Sequence, residues 1–318
     1  MPDVPRPGPK PGPPPGAQPR PPAQGRRPAA QASTSRPPRD EFKAAGPLQA
    51  VISVQSGRLK GAGRDASSLI VLNRIAFFDP ANDRLDDEGK RAMLRWACEH
   101  KLGQQADLVT AVAKRRAAAL RAMPASRPHL RLQAEPEWRL VTGLGDKANA
   151  HEIGLALHGT YGWPVIPGSS LKGLAAAWAR ENVPLADVQR VLGTPRPGGR
   201  HDDTARGTVC FLDAIPAGQP AEVLADVLTP HVKPYYDRLA AGADPLVPPA
   251  EYHNPVPLPF LTVGGTYALD LYGTDRGDLE LAAGWLAKAG DDLGAGAKTA
   301  AGYGYLRVTP APDQGGQP

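Results

Sequence analysis

Cysteine and long apolar runs are scarce in this sequence of 318 residues. Cys98 and Cys210 are the only cysteines, and neither belongs to a C-x-x-C pair. This pattern argues against a disulfide framework or a zinc knuckle and favours a reducing cytoplasm. No run of eighteen apolar residues occurs, so we expect no membrane span. The first residues also lack the apolar segment of a secretory signal, and we therefore expect a cytoplasmic protein.

Metal-binding patterns are missing as well. The stretch HEIGL at 151–155 fails the H-E-x-x-H template, because the next histidine is His158. The HDD stretch at 201–203 has flanks rich in glycine, proline and arginine, which predict a solvated loop. The sequence therefore predicts no metal site, and it contains no motif that calls for a cofactor.

Positive charge is concentrated at the start of the chain. Residues 1–40 contain 14 of the 37 prolines and seven Lys or Arg against two acidic residues. We therefore expect a disordered Pro/Arg-rich tail over residues 1–47, since this composition cannot bury enough apolar surface to offset its ordering entropy. Residues 41–318 carry 30 basic and 30 acidic residues. Any site for a polyanion in this neutral body must come from local placement of charge.

Residues 48–130 are predicted to form a helical N-terminal extension packed on the core. One helix is expected at 83–101, with Asp83 as its N-cap, and a second at about 104–123, ending at Pro124. No acidic residue occurs from 108 to 134. The basic residues of the second helix are candidate contacts to RNA or to a neighbouring subunit: Lys114, Arg115, Arg116 and Arg121. A solvated helix face is an equally good explanation.

Residues 131–312 alternate between strand and helix patterns. Strands are predicted at 137–144, 207–214, 266–273 and 302–308, and helices at 169–181 and 275–290. The order β-α-β-β-α-β is that of a ferredoxin-like (RRM-like) domain, so the predicted fold class is α+β. The proline-rich connection over 215–265 is expected to be extended and to lie on the surface.

Two stretches of this domain are candidates for binding an anion. In IPGSSLKG, at 166–173, Ser169 or Ser170 can cap the next helix and Lys172 adds charge to its first turn. In GAGAKTAAGYG, at 294–304, glycines allow close approach of the backbone, and Lys298 and Thr299 offer a charge and a hydroxyl. The second stretch is not a P-loop, because an alanine precedes the lysine and a strand follows. Taken alone, each could be a helix cap or a tight connection without a ligand.

Together, and in this order, the two stretches resemble the RAMP superfamily, the ferredoxin-like RNA-binding subunits of CRISPR effector complexes. In that family a glycine-rich loop precedes the last strand, and an h-P-G-S-S-[LIF]-[KR]-G segment opens the first helix. The segments GTVCFLDAIP, DVLTPHVKPYY and AEYHNPVPLPFLTVGGTY are similar to parts of the type III-B, or Cmr, effector. The resemblance covers about residues 137–308.

The resemblance implies a non-catalytic RNA-binding and scaffolding subunit in antiviral defence. Such subunits cap a filament of backbone subunits near the 3′ end of the guide RNA. The implied partners are the guide RNA, its complementary target RNA, the backbone RAMP, the other capping RAMP and the small helical subunit. The positions carried over as RNA-binding are Gly168, Ser169, Ser170, Lys172, Gly294, Gly296, Lys298, Thr299, Gly302 and Tyr303. For Tyr303, packing is favoured over stacking on a base.

Three alternatives remain open from the sequence. A metal-independent endoribonuclease of the same fold could process guide RNA, with His151, His158, His231 or Asp213 as acid or base. A nucleotide-binding protein could use the loop at 294–304. A purely structural adaptor would contact other subunits but no RNA, which the neutral body would allow.

Overall fold

The computed structural model describes residues 41–45, 52–55, 58–61, 67–78, 87–99, 102, 105–145, 151–194, 205–242 and 247–312. All of them belong to one structural unit that begins at Arg39. Of the predicted tail, residues 1–47, only 41–45 are among the described residues. The HDD stretch at 201–203 lies outside them.

The N-terminal part of the chain contains both strands and helices. Its strands are β1 (Glu41–Ala45), β2 (Ile52–Gln55), β3 (Arg58–Gly61) and β4 (Ala76–Phe78). They pair antiparallel in the order β3-β2-β1-β4. The helices are α1 (Ser68–Arg74), α2 (Asp87–Glu99) and α3 (Ala106–Arg121). The expectation of a helical extension is therefore met only in part, because short runs such as ISVQ and RLKG pair with each other as strands.

The two longer helices of this part match the prediction, but with different ends. Helix α2 begins at Asp87, with acidic residues in its first turn, while the predicted N-cap Asp83 lies outside the described residues. Met93, Trp96 and Ala97 are buried on one face of α2. They belong to the same hydrophobic core as the buried residues of the following domain, so the extension packs on that domain.

The following domain begins with β5 (His129–Pro136). Its remaining elements are α4 (Gly168–Asn182), α5 (Leu185–Leu192), β6 (Val209–Phe211), β7 (Ile215–Pro216), β8 (Glu222–Leu228), α6 (Lys233–Ala240), β9 (Leu258–Gly264), β10 (Tyr267–Gly273), α7 (Arg276–Asp292) and β11 (Leu306–Pro310). The main sheet has the order β11-β5-β10-β6, and β7 also pairs with β10. All of these ladders are antiparallel, so the fold is α+β with antiparallel sheets.

The first strand of the sheet is not where the sequence predicted it. We expected a strand at 137–144, but β5 occupies His129–Pro136. The later segment forms a single antiparallel bridge between Leu140 and Val263. Residues 140–142 are all buried. A short buried run resembles a strand in composition but lacks the alternation of buried and exposed residues, which explains the wrong prediction. The other three predicted strands overlap β6, β10 and β11, and the two predicted helices overlap α4 and α7.

The connection over 215–265 is folded rather than merely extended. Strands β8 and β9 pair along seven residues each to form a two-stranded sheet, from Glu222 opposite Gly264 to Leu228 opposite Leu258. Helix α6 lies between them in sequence. The prolines are compatible with this arrangement, because most of them lie outside the paired strands and Pro259 is in the first residues of β9.

Each face of the main sheet has its own partners. Alternate residues of β10, including Leu269 and Leu271, belong to the core that also contains the apolar residues of α4 and α7. Asp270, between them, points to the opposite face, where Arg116 of α3 contacts it. In α7 the buried stripe includes Leu279, whereas Leu281 is exposed. Within the described part of the chain, no helix combines the length and apolarity needed to cross a membrane.

Candidate nucleic-acid interface

The α4 start, residues 166–173, is held by a carboxylate from the neighbouring strand segment. The backbone N–H of Gly168 donates a hydrogen bond to Oδ1 of Asp213 at 2.7 Å. The N-cap residue is Pro167 and makes no side-chain cap bond, so the predicted caps Ser169 and Ser170 lie inside the first turn instead. A Cβ on Gly168 would lie 2.4 Å from the Phe211 carbonyl oxygen. Glycine at this position is therefore explained by packing.

Three polar side chains of the α4 start remain exposed. Ser169, Ser170 and Lys172 are all open to solvent in the first turn of the helix. Asp213 already accepts from the first amide of the helix, and the Ser170 and Leu171 amides donate to the Pro167 carbonyl. An anion here would therefore contact the Ser169 amide, the hydroxyls and the Lys172 ammonium. The α4 start is thus a partly occupied anion site with one exposed cation.

The glycine loop, residues 294–304, packs against the segment that follows β5. Ala297 donates to the carbonyl of Val141 and Gly304 donates to the carbonyl of Arg139, both at 2.8 Å. A Cβ on Gly296 would lie 2.2 Å from the Val141 oxygen, and one on Gly304 would lie 2.0 Å from the Ala295 oxygen. These two glycines are needed for close packing of the chain on itself.

Left-handed backbone conformations recur along the same loop. Gly294 and Gly302 have φ angles of 72° and 89°, and Lys298 has φ 63° and ψ 29°. A short 3-10 helix at Thr299–Ala301 lies between Lys298 and Gly302. Nothing lies within 4 Å of the position that a Cβ on Gly302 would take. Gly302 is therefore the loop glycine with open space around it, where a ligand backbone could approach.

The side chains of the glycine loop meet an aromatic cluster. Tyr303 is buried, and its ring stacks on Trp138 with a centroid distance of 4.9 Å and packs edge-on against Phe260 at 5.6 Å. Burial, together with the Asp226 carboxylate, raises the pKa of Tyr303. The Lys298 ammonium lies 4.7 Å from the Phe260 ring centroid. Tyr303 therefore packs within the protein, and its ring is not available as an open stacking surface.

The α4 start and the glycine loop are connected through intervening backbone. The glycine loop donates from Ala297 to Val141, and the next residue, Thr142, accepts from Ala156 at 3.1 Å. Ala156 in turn accepts from Val165, one residue before the α4 start, at 3.1 Å. Among the described residues, no hydrogen bond joins the two stretches directly. Their convergence on one RNA strand remains a prediction.

The four basic residues predicted on α3 have separate environments. Lys114 and Arg121 are exposed. Arg115 donates to the Tyr161 hydroxyl. Arg116 forms an ion pair with the buried Asp270 at 2.7 Å and donates to the Asp213 carbonyl at 2.6 Å. Burial lowers the pKa of Arg116, and the Asp270 carboxylate opposes that shift. Arg116 therefore fixes α3 to the sheet, which leaves Lys114 and Arg121 as the open cations of this helix.

Two residues near the site have environments that the sequence did not predict. Asp213 was considered as an acid or base, but its carboxylate caps α4. Trp138 was assigned to a strand, but it is 55% exposed beside the glycine loop. A signal was present in the sequence, because Trp138–Arg139 places an aromatic ring beside a cation, and proteins bind single strands with these two kinds of side chain.

Comparison with known proteins gives the class of this fold. The sequence profile of the RAMP superfamily matches residues 139–307, which is just over half of the chain. The chain therefore belongs to the RAMP superfamily. The matched range includes both the α4 start and the glycine loop.

A more particular similarity is to a Cmr subunit. The chain is 30% identical over 224 residues to the CRISPR system Cmr subunit Cmr6 of Pyrococcus furiosus, and the alignment covers 53% of this chain and 64% of that protein. It thus spans less than two thirds of the curated relative. Among solved structures, one chain of the type III-B Cmr-beta complex bound to cognate target RNA is similar in fold, with a TM-score of 0.53 and 15% identity. That similarity covers 73% of this chain and 75% of the other.

Proposed function

We propose that this chain is the counterpart of Cmr6 in a type III-B effector, a non-catalytic subunit that binds RNA and caps the backbone filament near the 3′ end of the guide RNA. The observation that carries the proposal is the 30% identity to Cmr6, and the RAMP superfamily profile matches the region that contains both candidate stretches. We infer that the sheet order β11-β5-β10-β6, with α4 and α7 as the crossover helices, is the ferredoxin-like arrangement. The segment from β7 to β9 is then an insertion.

The proposed partners are guide RNA, complementary target RNA and neighbouring Cmr subunits in the cytoplasm. The backbone RAMP, the other capping RAMP and the small helical subunit are the subunits expected. A neutral body can serve such a role, because several weak contacts along one filament add through effective concentration. Sequence is then read by base pairing, while the protein grips the phosphates.

Lys172 and Lys298, the cations of the two candidate stretches, lead to a direct test. Replacing Lys172 and Lys298 together by alanine should weaken binding to single-stranded RNA. The salt slope of log K should fall by about 0.7 for each phosphate that the variant no longer neutralises. A matched control is the Lys233→Ala/Lys288→Ala variant, which removes the same charge from α6 and α7. Equal salt slopes for the two variants would show that Lys172 and Lys298 do not contact RNA.

The absence of catalysis is supported by how the candidate histidines are used. His151 is buried, and its Nε2 accepts a hydrogen bond from the Phe77 backbone at 2.9 Å. Nδ1 of His158 accepts from the backbone of Thr160. We expect purified protein to leave repeat RNA intact in EDTA. Defined cleavage that disappears in the His231→Ala variant would establish the endoribonuclease instead.

A further inference from the structure

An aromatic platform projects beside the glycine loop and consists of Trp138, Tyr303 and Phe260. The Trp138 and Tyr303 rings are nearly parallel, with 30° between their planes and 4.9 Å between their centroids. Tyr303 and Phe260 are 4% exposed, whereas Trp138 is 55% exposed. The exposed indole is therefore supported on one side by the buried Tyr303 ring, which in turn packs against Phe260.

Trp138 differs in this respect from the other four tryptophans of the chain. Trp96, Trp163 and Trp285 are buried in the core. Trp178 is half-buried, its Nε1 donates to Asp292 at 2.7 Å, and Lys288 lies over its ring. An indole that stays exposed while its ring is held in a fixed orientation is suited to receive a flat partner, because little conformational entropy remains to be lost on binding.

The charged groups around the platform are held in place as well. The Arg139 guanidinium lies 5.1 Å from the Trp138 ring centroid and forms an ion pair with Asp226 at 2.6 Å. Lys298 lies over Phe260 and has no ion-pair partner among the described residues. The Arg139 carbonyl accepts the Gly304 amide. The platform and the glycine loop are therefore one connected structure with an open cation at its edge.

We propose that Trp138 stacks on an unpaired RNA base, while Lys298 and the open backbone at Gly302 contact the phosphates next to it. A flat π surface with adjacent cations is how proteins bind single strands without reading their sequence. The groups that the structure places against the Trp138 ring are Tyr303 and the Arg139 guanidinium, and an aromatic ring beside a cation suits a single nucleic-acid strand. The inference rests on the proposed function and adds to it a stacking contact for one base.

The experiment measures binding of short unstructured single-stranded RNA to the full chain by fluorescence anisotropy at about 50 mM salt. Trp138→Ala should weaken binding roughly 5- to 100-fold, while Trp138→Phe should keep most of the affinity. The salt slope should stay unchanged in Trp138→Ala, because stacking releases no counterions. The control Tyr252→Ala, which removes another strongly exposed aromatic ring, should bind like the wild type.

Two further measurements separate stacking from a structural effect. RNA should quench the tryptophan fluorescence of the wild type but not that of Trp138→Phe. Abasic RNA of the same length should bind wild type and Trp138→Ala equally, since no base is then available to stack. A loss of affinity for abasic RNA in Trp138→Ala would mean that the substitution disturbs the loop and would overturn the inference.

The inference and the proposed function fail in different ways. If Trp138→Ala binds RNA like the wild type but the Lys172→Ala/Lys298→Ala variant does not, the stacking role is wrong and the proposed function stands. If Trp138→Ala keeps its RNA affinity but loses a neighbouring Cmr subunit on co-purification, the platform is a protein contact. Absence of any RNA binding by the wild type would count against both.

Discussion

The glycines of the loop after α7 look alike in the sequence, but each position requires glycine for a different physical reason. Gly304 has a positive φ and also meets the Ala295 carbonyl, so it can carry neither the strain nor the volume of a side chain. Gly302 has a positive φ but open surroundings. The pair therefore allows the cost of backbone conformation to be separated from the cost of steric contact.

We predict different stabilities for the two alanine variants. Gly302→Ala should cost only the left-handed conformation, about 1 kcal/mol. Gly304→Ala should cost at least about 2 kcal/mol, because the new Cβ also collides with backbone. Thermal unfolding measures the difference, at roughly 2–4 °C per kcal/mol for a domain of this size. Equal melting temperatures would show that the loop relaxes freely around Gly304.

The site residues differ in how far the sequence could predict them. The position of Lys172 in the first turn of α4 and the packing of Tyr303 were both expected from the sequence. The role of Asp213 as a cap for Gly168 joins residues 45 positions apart, and no local signal encodes it. The exposure of Trp138 likewise depends on where β5 ends. The sequence did not predict that end, because the buried run after Trp138 was itself read as a strand.

Helix α3 is attached to the sheet by charge as well as by apolar packing. Its Val109 and Val112 pack with Trp163, Val165 and Ile215. Further along the helix, Arg116 shares the buried Asp270 with Arg131 of β5, whose Nε lies 2.7 Å from the carboxylate. The basic stretch predicted as an RNA patch is therefore partly an attachment between elements, since one of its arginines, Arg116, pairs with a buried acid.

Asp270→Asn should consequently loosen this attachment. The substitution keeps the shape of the side chain but leaves two partly buried guanidinium groups facing a neutral amide, which we expect to cost about 3 kcal/mol. Denaturant unfolding gives the change in free energy. The control Glu280→Gln removes an exposed partner of Arg276 and should change stability by no more than about 0.5 kcal/mol. If both variants change the free energy of unfolding by a similar amount, the Asp270 ion pairs contribute no more to stability than an exposed pair.

At the scale of elements, periodicity predicted the helices better than the strands. Helices α4 and α7 are long enough for an apolar stripe to be read, and both were found. Strand β6 has three residues and β7 has two, too few for alternation to give a boundary. The strands β8 and β9 are separated by α6 in the sequence, so no local pattern predicts that they pair. The high proline content of this connection also argued against a sheet.

The molecule as a whole has a neutral body and a charged N-terminal segment. Residues 1–38 contain six basic residues and one acidic residue, which accounts for the entire net charge of +5. The contacts at the glycine loop and the α4 start involve few cations. Electrostatic attraction of the free chain to RNA should therefore come largely from the N-terminal segment, whereas specific placement should come from the folded part.

Deleting residues 1–38 should separate these two contributions. We expect the truncated chain to bind single-stranded RNA more weakly at low salt, with a salt slope reduced by between one and about four units. The decrease in affinity caused by Lys172→Ala/Lys298→Ala should be the same in both backgrounds, because the folded site is unchanged. An identical slope with and without residues 1–38 would contradict the assignment of bulk attraction to that segment.

Asp213 connects three parts of the chain that the sequence separates. Its carboxylate accepts a hydrogen bond from the first amide of α4, and its backbone carbonyl accepts one from Arg116 of α3. A fragment that begins at residue 131 would lack Arg116. The Asp213 carbonyl would then lose its hydrogen-bond donor, and the buried Asp270 would lose one of its ion-pair partners. The border between the N-terminal extension and the RAMP domain therefore marks a change in sequence similarity. We expect the extension and the domain to unfold in one transition.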